Sequence, residues 1–185
     1  MFMSHVSPES CFETVPLVKI APGTSARVTI QSEVAEVIRT HWFGRQYVCP
    51  GVDCPACECY QSRLTVFILV TVFSGKVWVP GLLELTPAAL SRLRFMLEWE
   101  AGSVVPGVVV LVSRRSLRSG VVAEPLDQVG GELLGSLSSS EVLFNSVCRL
   151  LGMPSIRKGE SDDQWQERVR PFLNARLAKV IAEKG

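Results

Sequence analysis

The stretch Arg63–Phe73 (RLTVFILVTVF) is the most β-prone part of this 185-residue chain. Its β-branched and aromatic residues favour an extended backbone. Threonines interrupt the run, which is about half the length that a membrane-spanning helix requires. A tight turn at Ser74–Lys76 follows, and Lys76–Val79 is predicted to pair back as a hairpin strand. This part of the chain therefore predicts an antiparallel sheet and no membrane segment.

Further short elements flank this stretch on both sides. One helix is predicted to begin here, with Thr86 as its N-cap and Pro87 at its first position. It should be about 13 residues long and end near Gly102. Strands are predicted at Val15–Ile20, Ala26–Ser32, Val34–Trp42, Val104–Val112 and Gly120–Glu124. This mainly β order with one inserted helix, in about 115 residues, matches a small OB-like β-barrel, although a zinc loop on a mixed α/β sheet also fits.

The chain changes character after this β-rich part. Residues 127–139 are rich in Gly and Ser, which is typical of a linker. Helices are predicted from Ser140 to Leu151 and from Asp162 or Asp163 to Lys184, with a kink at Pro171. We therefore predict an OB-like domain at 14–126, a linker at 127–139 and a helical C-terminal extension at 140–185.

Composition and charge limit the classes of function. The chain has 19 Lys and Arg against 18 Asp and Glu, and 47% of its residues are hydrophobic. These values exclude a wholly disordered chain and a histone-like polycation, so any nucleic-acid binding needs a local basic groove. The N-terminus lacks the basic and then apolar pattern of a signal peptide, and we expect a cytoplasmic location.

Four of the six cysteines fall within Cys49–Cys59 (CPGVDCPACEC). Such clustering suits a zinc ion better than a disulfide framework, since Cys54 and Cys57 have the spacing of a metal-binding knuckle. Cys49 supplies a third ligand. The fourth is either His41 or Cys59, and His41 is favoured because Cys57 and Cys59 would form a cramped pair.

Signals of catalysis are scarce. The sequence contains neither a GxxxxGK[ST] phosphate loop nor a GxGxxG motif, and its only histidines are His5 and His41. A zinc deaminase would need a glutamate two residues after the ligand histidine, where Phe43 stands. The sequence therefore predicts a protein that is not an enzyme.

A family resemblance rests on the order of these motifs. His41-Trp42, Gly44-Arg45, the three cysteines and the β-rich run from Arg63 resemble the zinc-containing single-stranded DNA-binding proteins of phages and mobile elements. The later Leu-Leu-Glu-Leu-Thr at 82–86 and the Pro106-Gly107 pair are similar too. Over residues 15–125 the resemblance implies an OB-fold core like that of the T-even phage helix-destabilising proteins. It also implies His41, Cys49, Cys54 and Cys57 as the zinc ligands.

Aromatic and cationic residues are interleaved around the cysteines, as a surface that stacks and holds single-stranded DNA requires. The predicted contacts are Arg39, Trp42, Arg45, Tyr47 and Arg63, with a second basic cluster at Arg114 and Arg115. Trp78 and Trp99 are predicted to be core residues, and Trp165 to pack the two C-terminal helices together. The alternative is a zinc-stabilised adaptor that docks a partner through 140–185, a segment that would also suit recruitment of replication or recombination proteins.

Overall fold

The computed structural model describes residues 15–51, 53–100, 103–128, 130, 133 and 140–184. It shows a mainly β fold with three helices. The elements are β1 (Thr24–Ile30), β2 (Glu36–Phe43), β3 (Arg45–Val48), β4 (Ser62–Phe73), β5 (Trp78–Leu85), α1 (Pro87–Met96), β6 (Val109–Arg114), β7 (Val121–Leu126), α2 (Ser140–Leu150) and α3 (Asp162–Lys184).

Strand β4 is the centre of one antiparallel, seven-stranded sheet. Along one edge, the first half of β4 pairs with β2 and the second half with β1. Its other edge pairs with β5 from Val66 to Phe73. Strand β3 extends the sheet beyond β2, and β6 and β7 extend it beyond β1, so that the sheet curls into a half-barrel.

The two faces of β4 contribute to two different cores, because successive side chains on a strand point to opposite sides. Phe67 and Leu69 belong to what we call the helix-side core, together with Ile38, Tyr47, Leu82, Val147, Trp165, Val169, Leu173 and others. Val66, Ile68 and Val70 belong to what we call the α1-side core, together with Val28, Leu83, Leu90, Leu93, Val110 and others. This explains why β4 is apolar on both faces from Val66 to Val70 rather than alternating.

The predicted C-terminal extension packs on the sheet. Leu143 and Val147 of α2, and Leu173 and Leu177 of α3, are buried in the helix-side core. Trp165 does join the two helices: its indole N–H donates to the Pro154 carbonyl at 2.8 Å, and its ring meets Phe144 edge-on. The helices are thus part of the core, and most of the predicted 127–139 linker lies outside the described residues.

Three sequence predictions about element bounds are wrong. Val15–Ile20 forms only a bridge from Leu17 to Leu82, next to Pro16, which has no N–H to extend a ladder. Helix α1 has ten residues and ends at Met96, shortly before Glu98, whose φ of 54° is not helical. Strand β6 begins only at Val109, because Gly107 turns the chain with a φ of 86° and donates its N–H to Ile30.

The carboxylate of Glu160 stabilises the loop between α2 and α3, and the effect of its ionisation on stability should be measurable. Arg168 donates to both carboxylate oxygens of Glu160, at 2.7 and 2.6 Å, and the backbone N–H of Arg157 donates to it at 2.8 Å. The Arg168 hydrogen bond is the main reason that the pKa of Glu160 is lowered from 4.5 to about 2.

A carboxyl group whose folded-state pKa is lowered stabilises the fold above its unfolded pKa. We therefore expect this contribution to be complete above pH 4.5 and to be lost as the pH falls towards 2. Thermal melts of the wild type and Glu160→Gln across this range should show a difference in Tm that shrinks below pH 4.5. A difference that does not change with pH would contradict the assignment.

Candidate metal centre and nucleic-acid interface

His41, Cys49, Cys54 and Cys57 come together at one point, with all four ligand atoms within 4.8 Å of one another. His41 Nε2 lies 3.6 Å from Cys54 Sγ and 3.5 Å from Cys57 Sγ, and Cys49 Sγ lies 3.8 Å from Cys57 Sγ. Tetrahedral bonds of about 2.3 Å to sulfur and 2.0 Å to nitrogen place ligand atoms roughly 3.5–3.8 Å apart. The donor set therefore fits a metal ion in both chemistry and spacing.

Local structure brings the four ligands to this point. His41 is in β2, opposite Tyr47 of β3, in a hairpin that turns at Gly44. The loop after β3 then returns with Cys54 and Cys57 in a turn closed by the Cys57 N–H to the Cys54 carbonyl at 3.0 Å. A strand and a turn thus bring side chains to one point where they could hold one ion.

The imidazole of His41 is oriented by its other ring nitrogen. Nδ1 lies 3.1 Å from the backbone carbonyl oxygen of Tyr60, which can only accept a hydrogen bond. Nδ1 therefore carries the proton, and Nε2 has its lone pair free to face the thiols. Metal-binding histidines are commonly fixed by a partner of this kind.

The thiols share protons unequally. The pKa of Cys49 is lowered to about 5, mainly because the Cys54 thiol donates a hydrogen bond to it. The pKa of Cys54 is raised, because that same bond holds its proton. Burial raises the pKa of Cys57. A metal ion binds thiolates, so its binding here would release the protons that the Cys54 and Cys57 thiols hold to the solvent, and its affinity would rise with pH.

The other described cysteines lie outside this group. Cys59 is exposed and is not among the four clustered ligands, so the geometry favours His41 over Cys59 as the fourth. Cys148 is in the helix-side core, where burial raises its pKa to about 12. Its thiol is therefore a core side chain without nucleophilic character.

The loop at residues 49–51 and 53–60, which we call the metal-binding loop, also supports α3. Cys54 and Ala56 are buried in the same core as Leu173 and Leu177. A cleft between them is lined by the loop on one side and by α3 residues, among them Asn174 and Ile181, on the other. Ordering of this loop by a metal would therefore provide the surface on which α3 packs.

Two of the predicted nucleic-acid contacts are engaged within the protein. Tyr47 is only 4% exposed, and its ring stacks on Phe43 with centroids 4.1 Å apart. This position offers no open face to a base, because Phe43 stacks on the ring and the Arg45 guanidinium lies over it at 5.1 Å. Arg45 donates to the Leu151 carbonyl at 2.5 Å and thereby ties the hairpin to the end of α2.

The other predicted contacts beside the metal do not share one surface. Trp42 is 62% exposed, and Arg39 is exposed three residues earlier on β2. Side chains at this spacing point to opposite faces of the sheet. Arg63 is exposed and pairs with Glu84 at 3.1 Å. These residues remain candidates, but they do not form a continuous groove.

The second predicted cluster lies in the turn between β6 and β7. The guanidinium of Arg114 donates to the backbone carbonyls of Ser116, Leu117 and Ser119, so this side chain shapes the turn. Arg115, which follows it, is exposed. The structure thus gives the two neighbouring arginines different roles.

The sequence analysis missed an aromatic pair at the same end of the sheet. Trp78 is not in either core: it lies opposite Phe73 across the β4–β5 turn, with ring centroids 5.2 Å apart. Arg27 of β1 places its guanidinium over the Phe73 ring at 4.4 Å. The sequence contained a signal for this pair, because the residues on either side of a four-residue hairpin turn are cross-strand neighbours.

Among the helices in the described residues, none has the length and apolar character needed to cross a membrane. No protein-family model, curated protein or solved structure matches the chain.

Proposed function

We propose that this chain is a non-catalytic single-stranded DNA-binding protein, built as an OB-like half-barrel around a structural zinc centre. The proposal has two parts, the identity of the metal ion and the binding of single-stranded DNA. The ion is zinc because three thiolates and one imidazole in a tetrahedral set are the ligands of structural zinc sites. Four protein ligands leave no position for a substrate, so the role of the ion is to hold the fold.

The observation that carries the DNA-binding part is the segregation of charge. The start of β1, the β4–β5 turn and the β6–β7 turn meet at one end of the sheet. Residues 21–30, 70–80 and 109–123, which include this end and the strands that lead to it, contain no acidic residue. We call it the basic end, and its cations are Arg27, Lys76, Arg114, Arg115 and Arg118.

A chain with a net charge of +1 must then be acidic elsewhere. This uneven distribution supplies the local positive surface that the bulk composition lacks, and a phosphate backbone is the ligand that such a surface attracts. The described cysteines form no disulfides, and unpaired cysteines persist in a reducing compartment, so we also propose a cytoplasmic location.

The adaptor alternative has less support. Its docking element is the segment 140–185, but most of the apolar residues of α2 and α3 pack against the rest of the chain, and Val142 and Ile181 are the large ones left exposed. This packing favours an intramolecular role for both helices. Recruitment of other replication or recombination proteins would have to use the outer surfaces of these helices.

The test is a fluorescence-anisotropy titration with labelled oligo-dT at two salt concentrations. We expect binding that weakens with salt. The double variant Arg115→Gln/Arg118→Gln should lower the salt slope by about 1.4, since each phosphate contact with a single strand contributes roughly 0.7.

A matched control removes the same charge from the helical segment. Arg149→Gln/Lys158→Gln replaces two exposed cations there and should leave the salt slope unchanged. Equal effects of the two double variants would place the DNA elsewhere, and a wild type that does not bind oligo-dT at low salt would refute the proposal.

A further inference from the structure

We infer that Phe73 and Trp78 form a base-stacking site for single-stranded DNA, with Arg27 as its cationic edge. This inference rests on the proposed function and identifies the residues on which the bases of the DNA would stack. It moves the stacking contact away from the metal-binding loop, where the sequence had suggested it, to the opposite part of the sheet.

The geometry of the pair suits a flat ligand. The rings of Phe73 and Trp78 are inclined at 52°, so they do not close on each other as a parallel stack. Both residues are half-buried, which fixes their rings while leaving surface open. Within the described part of the chain, neither residue belongs to the helix-side or the α1-side core.

Arg27 is held in place beside this pair. Its guanidinium stacks on Phe73 and donates to the Gln128 side chain at 3.2 Å. Among the ion pairs that the described residues form, none involves Arg27, so its charge is not neutralised by a carboxylate. An arginine oriented by an aromatic ring can stack on a base and contact a phosphate next to it.

The surroundings provide a path for the DNA backbone. Lys76 lies in the turn that joins Phe73 to Trp78, and Arg115 and Arg118 lie in the neighbouring β6–β7 turn. All three are exposed. A strand that places a base on the aromatic pair therefore finds cations on either side. A duplex would not bind in this way, because the faces of its bases are covered by their neighbours.

The aromatic pair and its cations point to a sequence-tolerant contact, because every base has a face that can stack. They also distinguish a nucleic acid from polyanions that have no bases. Inorganic polyphosphate can bind the cations of the basic end, but it has no ring to place against Trp78.

The experiment measures affinity for labelled oligo-dT in full-length, metal-loaded protein. Trp78→Ala should weaken binding roughly 5- to 150-fold, the range expected for loss of one stacked base. Phe95→Ala is the matched control, because it removes an aromatic ring that is 86% exposed but lies on α1, outside the basic end. It should leave the affinity unchanged.

A second variant separates stacking from folding. Trp78→Phe keeps an aromatic ring and should retain most of the affinity. Oligo-dT should quench the fluorescence of the wild type but not that of Trp78→Phe, and polyphosphate should quench neither.

The outcomes distinguish this site from the proposed function. If the wild type binds oligo-dT and Trp78→Ala binds equally well, or if quenching persists in Trp78→Phe, the stacking site is wrong and DNA binding stands. If the wild type does not bind, both fail.

Discussion

Cys54→Ser should reduce the metal content of the purified protein from one ion per chain to near zero. The Cys54 thiol lies 3.6 Å from His41 Nε2 and is buried beneath α3, so a serine hydroxyl would leave a site with one hard, weak ligand. Binding of structural zinc contributes about 10–16 kcal/mol in small zinc-finger peptides, which is comparable with the whole stability of a typical domain.

We therefore expect Cys54→Ser to lower the Tm and also to open part of the structure. Residues 41–60 and α3 should lose protection from hydrogen exchange together, because the loop and the helix pack on each other. The α1-side core should retain more protection, since none of the four ligands belongs to it.

The chain offers a close control for this experiment. Cys59→Ser changes an exposed cysteine two residues beyond a ligand and should retain one ion per chain. Metal analysis and thiol titration in the native state decide the matter. Full metal content in Cys54→Ser, or its loss in Cys59→Ser, would contradict the assignment of the ligands.

Leu173→Ala should destabilise the protein by about 2–5 kcal/mol, the usual cost of a cavity at a fully buried leucine. Leu173 is in the middle of α3, and its side chain is completely buried against the sheet and the metal-binding loop. If α3 followed the β-rich part without packing on it, the same substitution would lower the free energy of unfolding far less.

Leu117→Ala provides the comparison, because the Leu117 side chain is 76% exposed in the β6–β7 turn. It should change the free energy of unfolding by less than about 0.5 kcal/mol. Denaturant unfolding, followed by circular dichroism at equal metal content, measures both. Similar effects of the two variants would show that α3 is not part of the folded core.

The parts of the fold that local chemistry determines could be predicted from the sequence. The β-branched run of β4, the Thr86-Pro87 start of α1 and the spacing of the cysteines each act through neighbouring residues. His41 is further from the other ligands in sequence, and the prediction that placed it with them agrees with the clustered geometry.

The features of the fold that depend on which face of the sheet other elements cover could not be predicted from the sequence. Tyr47 and Trp78 are both aromatic residues in short strands, and the sequence assigned them to the surface and the core respectively. In the structure, Tyr47 is buried against Phe43 and Arg45, whereas Trp78 is half-buried and belongs to neither core. Likewise, nothing local to α3 indicates that its partner is a loop about a hundred residues earlier in the chain.

The position of α3 has a consequence for synthesis of the chain. All four metal ligands lie between His41 and Cys57, whereas the helix that packs over them begins at Asp162. At a typical rate of about 5–20 residues per second, the ribosome completes the ligand set several seconds before α3 exists.

During that interval the site is open on the side that α3 later covers, and an ion can enter it without any rearrangement. Once α3 has docked, the helix covers part of the loop, while Cys57 stays exposed at the cleft between them. The order of the elements along the chain therefore allows an ion to bind before α3 docks.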